Sequence, residues 1–221
     1  MFQKVGVIFD MDGVLADTGP IHFESWVKMA NEIGYEFTKE LFEETFGQQS
    51  IPITRNLVGE DIDIKLVRKW ANLKEKYYRE MIKDNIEPLP GVINLLKNLK
   101  KNGFKLAVGS SGPPENVKLI LNRLKIKPFF NVIITAAQVR HGKPDPEVFL
   151  IVAKKLKVKP QNCIVIEDAP VGIKAAKKAG MKSIAITTTH NEKELFEANL
   201  IINDLTNVNL DDIILLFDLK T

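Results

Sequence analysis

The chain has 221 residues, 45% of them hydrophobic and 27% charged, with a formal net charge of +3. That composition supplies a sizeable core for one large domain, or for a core plus a small one, and its scattered lysines read as solvated helix faces rather than a nucleic-acid surface. The one cysteine, Cys163, excludes an intrachain disulfide, and no apolar run is long enough to span a bilayer.

Met1 leads straight into KVGVIF, the first strand candidate, with no basic and apolar leader ahead of it. A cytoplasmic protein is therefore expected. The strand runs into FDMDG, where Asp10 closes the strand, Asp12 follows and Gly13 permits a tight turn. Two carboxylates this close repel unless a cation or shared proton intervenes, and a hard divalent metal with oxygen ligands meets that need. A surface turn also carries such a motif; an apolar strand feeding it favours the metal.

Residues 18–85 break the strand rhythm. IHFESWVKMANEIG and FTKELFEETFG have helical periodicity, with Thr38 as a candidate cap, and DIKLVRKWANLKEKYYREMIKD reads as a long amphipathic helix. A helical module is thus expected as an insertion at 18–85, with residues 1–17 and 86–221 forming the core. Within it His22, Trp26, Gln48, Gln49 and Arg55 are candidates for contact with a substrate. Trp26 serves equally as core, and Arg55 equally as a cover for a helix surface.

After PLPG the strands FKLAVG, NVIIT, CIVIE, KSIAIT and the shorter LIIN alternate with helical stretches at 92–102, 115–125, 146–157 and 171–179. These Val- and Ile-rich runs do not alternate cleanly, as expected of strands covered on both faces, and the order predicts an α/β fold with a doubly wound parallel sheet. Cys163, inside CIVI, reads as a buried thiol. The final IILLFDLK fits either a docking helix or an edge segment.

Ligands of open α/β sheets bind beyond the carboxyl ends of the strands. There the second strand places Ser110 and Ser111, either an ordinary turn or a phosphate cradle. Lys143, in GKPDP, offers a cation for charge developing in a transfer. Glu167 and Asp168 end the fourth strand, to cap the next helix or to hold a metal. No GxxxxGK loop, HExxH or zinc spacing is present, and the three histidines, His22, His141 and His190, are scattered. The set adds up to a site for phosphate and magnesium.

At FDMDGVLADT, VGSSG, GKPDP and IEDAPVGIKAAKKAGM the sequence resembles the haloacid dehalogenase superfamily. It looks most like the subfamily of small phosphatases, phosphoglycolate phosphatase and beta-phosphoglucomutase. The resemblance implies a Rossmann-like core with an inserted alpha-helical cap domain. It implies Asp10 as nucleophile, Asp12 as general acid and base, and Lys143 as partner of Asp10 and the phosphate. Ser110 would bind the phosphoryl group, with Ser111 beside it. Mg²⁺ would be held by Asp10, Asp12 and Asp168, with Glu167 as ligand or supporting carboxylate. Asp12 also favours phosphoryl transfer over dehalogenation, since members that remove halide usually lack it. The expected protein is a monomer or weak homodimer acting on a small phosphorylated metabolite, with no membrane or nucleic-acid partner. A mutase and a non-catalytic phosphometabolite-binding protein are the alternatives.

Overall fold

In the computed structural model, which describes residues 4–82, 86–206 and 208–217, the Val- and Ile-rich runs form one parallel sheet. Its strands are β1 (Gly6–Phe9), β2 (Lys105–Gly109), β3 (Val132–Ile134), β4 (Cys163–Glu167), β5 (Lys182–Ile186) and β6 (Leu200–Ile202), in the order β3-β2-β1-β4-β5-β6. β1 lies between β2 and β4, with Gly6 opposite both Lys105 and Cys163. All four β1 residues are buried because helices cover both faces. Val7 and Phe9 pack toward α5 (Val92–Lys101) and α6 (Pro114–Arg123). Ile8 packs toward α7 (Glu147–Leu156) and α8 (Pro170–Lys178). The chain winds one way from β1 through β2 and the other through β4, so a crevice opens beyond Phe9 and Glu167.

A cap-like helical insertion follows β1: α1 (Gly19–Glu32), α2 (Lys39–Thr45), α3 (Ser50–Val58) and α4 (Ile64–Ile82). It has its own small core, in which Trp26 stacks on Phe37 with ring centroids 5.1 Å apart. Thr38 caps α2 by accepting a hydrogen bond from the Leu41 N–H at 3.2 Å. The helix α3 lies in a stretch, SIPITRNLV, for which the sequence analysis named no helix. Pro52 obscures it, yet a proline is tolerated in a first helical turn, whose N–H groups have no intrahelical acceptor.

At the chain's end α9 (Leu210–Leu215) is a helix, opened by a capping box between Asn209 and Asp212. The last three residues of IILLFDLK lie outside the described residues, as do residues 83–85 at the end of the expected insertion.

Candidate active site

The first turn beyond β1 holds two carboxylates and points them in different directions. Asp10 accepts the Asp12 N–H on Oδ2 at 3.1 Å and the Lys143 ammonium on Oδ1 at 2.5 Å. Gly13 makes this turn with φ +73°, and a Cβ there would lie 1.8 Å from Asp168 Oδ2. Glycine is needed both for the left-handed backbone and for the approach of the β4 carboxylate.

Lys143 also donates to Glu167 Oε1 at 2.5 Å, so one buried ammonium bridges the ends of β1 and β4. Glu167 Oε2 accepts the N–H groups of Asp168 and Ala169 at the start of α8. Both Glu167 oxygens are thus engaged within the protein. Asp168 Oδ2 accepts from Thr189 Oγ1 at 2.5 Å, from the loop after β5.

Charge is unbalanced here. Burial, with Glu167 and Asp12 adding to it against Lys143, raises the Asp10 carboxyl from 3.8 to about 7. Asp168 is raised well above its ordinary value, first by burial and then by Glu167 and Asp10. Lys143 goes up as well: burial disfavours its charge, but Asp10 and Glu167 outweigh burial. Fully ionised, the three buried carboxyls would outnumber the one ammonium by two charges, and the groups they offer are all oxygen. That donor set fits a hard dication, which Asp10 and Asp168 could hold.

Asp12 faces the cap. Its Oδ1 accepts from Thr18 Oγ1 at 2.6 Å and Tyr78 OH at 3.3 Å, and lies 3.1 Å from His22 Nε2. The Lys74 ammonium sits 2.7 Å from His22 Nδ1. An ammonium only donates, so Nδ1 accepts, and the imidazole proton lies on Nε2 and points at Asp12. Burial pushes Asp12 up, but His22, Thr18 and Lys74 more than offset it and leave the carboxyl below its ordinary value.

The cleft between cap and core has Asp10 and Asp12 on its floor and Gln48 and Ser111 on its sides. Ser110 is buried beside it, its Oγ accepting the Gly112 N–H at 3.0 Å. Gln49 packs against Gly142, next to Lys143. Trp26 is both cap core and cleft wall. Arg55 is not among the residues that line the cleft; its guanidinium donates to the carbonyls of Gly59, Glu60 and Ile62.

Lys74, Glu75 and Tyr78 were missed by the sequence reading, although Lys74 and Glu75 line the cleft. A signal existed: Val67, Ala71, Lys74, Tyr78 and Ile82 form one helical stripe, and a lysine within an apolar stripe is buried rather than solvated. Outside the cleft His141, Asp145 and Glu147 converge, but their acids brace a loop, Glu147 accepting two backbone N–H groups and Asp145 a third.

The sequence profile described as "Haloacid dehalogenase-like hydrolase" matches residues 7–186. The chain is 34% identical over 201 residues to a phosphorylated carbohydrates phosphatase of Thermotoga maritima, covering 88% of this chain and 91% of the relative. It is 30% identical to fructose-1-phosphate phosphatase YqaB of Escherichia coli, covering 84% of this chain and 98% of that one. Among solved structures, beta-phosphoglucomutase from Clostridium difficile superposes with a TM-score of 0.88 at 31% identity, over 98% of this chain and 97% of the other.

Proposed function

The chain belongs to the haloacid dehalogenase-like hydrolases, and on that premise we propose that it is a Mg²⁺-dependent phosphatase of a small phosphorylated metabolite, working through an aspartyl-phosphate on Asp10. The observation that carries this reading is the division between two adjacent carboxylates. Asp10 belongs to the acid cluster with Lys143, while Asp12 is gathered by Thr18, His22 and Tyr78 on the cap side.

Asp10 and Asp168 would hold the Mg²⁺, which when bound neutralises charge on the phosphoryl oxygens. An Asp10 carboxylate oxygen attacks phosphorus and the ester P–O bond breaks. The departing oxygen takes a proton from the Asp12 carboxyl. Asp12, now a carboxylate, takes a proton from water, whose oxygen attacks phosphorus. The bond to Asp10 breaks, and orthophosphate leaves with the Asp10 carboxylate restored. Lys143 holds Asp10 in place and counters charge on the transferring group, with the Ser110 hydroxyl as a further donor. The ionised Asp12 of this structure suits the second half; a bound phosphate dianion favours its protonation for the first.

A mutase shares the first half, and the likeness to beta-phosphoglucomutase together with the His22–Asp12 contact favours it as the second reading. It needs an anchor for a second phosphate in the cleft. Arg55, the basic residue nearest in sequence to the loop at Gln48 and Gln49, is committed to three backbone carbonyls, which supports the phosphatase. The test supplies beta-glucose 1-phosphate, Mg²⁺ and catalytic glucose 1,6-bisphosphate, beside a panel of small phosphate monoesters. Phosphate release that requires Mg²⁺ is expected; fast glucose 6-phosphate formation with little free phosphate would establish the mutase instead.

A further inference from the structure

The distal wall of the cleft holds a buried charge pair that the phosphoryl-transfer steps do not use. Lys74 and Glu75, neighbours on α4, are both nearly inaccessible and both line the cleft. Lys74 Nζ lies 3.1 Å from Glu75 Oε1 and over the faces of Trp26 and Tyr78, 5.0 and 5.2 Å from their ring centres. Glu75 Oε1 also accepts from the Ser50 hydroxyl, and Oε2 from Asn116 Nδ2 at 2.5 Å. Burial raises the Glu75 carboxyl, but Lys74, His22 and Ser50 outweigh burial and hold it below its ordinary value, so it is a carboxylate.

Among the described residues that line the cleft, Lys74 is the one lysine, and no arginine joins it. Its charge is matched by Glu75, and the ionised Asp12 stands one imidazole away. The rest of the wall is aromatic or aliphatic (Trp26, Phe42, Phe46, Ile53) or uncharged and polar (Gln48, Ser50). An incoming second anion would meet no unmatched cation here and would lose its hydration, which is unfavourable for a buried charge.

We infer that Glu75 sets the substrate class: by matching Lys74 it makes the distal wall accept an uncharged, hydroxylated leaving group and reject one that carries a second phosphate or a carboxylate. This rests on the phosphatase reading and narrows it. Glu75 acts through Lys74 and is a specificity residue, not a catalytic one.

The test measures binding calorimetrically on Asp10→Asn protein with Mg²⁺, which prevents turnover, using fructose 1-phosphate and fructose 1,6-bisphosphate. The parent should bind the monophosphate at least about tenfold more tightly, a difference of about 1.4 kcal/mol. Adding Glu75→Gln should erase that preference, and Glu75→Asp should keep it. Gln48→Lys, at a half-exposed position where folding is not at stake, should also admit the bisphosphate by placing an unmatched cation in the same wall. Equal binding by the parent, no binding of either sugar, or a preference untouched by both Glu75→Gln and Gln48→Lys would overturn the inference. Hydrolysis of p-nitrophenyl phosphate by the unsubstituted enzyme is followed in parallel. If it proceeds, the phosphatase reading survives failure of the specificity claim; if it is absent, the phosphatase reading fails by itself.

Discussion

Removing Lys143 leaves Asp10 and Glu167 without their shared donor in a buried crevice. Breaking one partner out of a buried ion cluster typically destabilises by about 3–5 kcal/mol, because the remaining charge is uncompensated. Lys143→Met should therefore lose phosphatase activity and lower stability by about that amount in urea unfolding. A variant as stable as the parent would show that the cluster is already relieved by water. The raised Asp10 and Asp168 carboxyls give a second expectation, with its sign fixed by linkage. A carboxyl that titrates near 7 when folded and near 3.8 when unfolded binds more protons in the folded state between those values. The metal-free protein therefore loses stability from this group as pH rises from about 4 to about 7. Above that range Mg²⁺ meets free carboxylates, and below it protons compete. The rise in melting temperature on adding Mg²⁺ should be clearly larger at pH 8 than at pH 5; equal shifts would remove these carboxylates from metal binding.

At the level of elements, α4 joins cap to core through polar contacts. Asn116, buried on α6, donates to Glu75 and accepts from Arg79 NH1 at 2.9 Å, so one core side chain is shared by two cap residues. Asn116→Ala takes one hydrogen bond from each partner and should destabilise by about 1–3 kcal/mol. It should also lengthen the distance between spin labels at exposed Leu66 on the cap and Leu150 on the core. An unchanged distance distribution would mean that apolar packing alone seats the cap. These contacts were not legible in LKEKYYRE, because charged residues on an amphipathic helix ordinarily face water. Only the spacing from Val67 to Ile82 betrays Lys74, and nothing local reveals that Glu75 meets Ser50 and Asn116. The helix α3 was hidden for a different reason, since Pro52 breaks a helix unless it falls in the first turn.

Across the whole molecule, the legible part of the sequence was the part governed by period and position. Runs such as CIVIE must be strands covered on both faces, and the order of runs and helices fixes which ends meet, so Asp10, Lys143, Glu167 and Asp168 converge although far apart in the chain. What could not be read was direction within the site. Glu167 spends both oxygens on Lys143 and backbone N–H groups, Asp12 turns to the cap, and Arg55 is held by the carbonyls of Gly59, Glu60 and Ile62. These orientations follow from contacts between segments with no common sequence pattern. The central claim is that Asp10 is the group that takes the phosphoryl. Its most direct test is multiple-turnover phosphate release from p-nitrophenyl phosphate with Mg²⁺, comparing the parent with folded Asp10→Asn protein. A neutral amide is no nucleophile, so the account predicts a fall of at least about a thousandfold, or about 4 kcal/mol in the barrier. Turnover near that of the parent would contradict it.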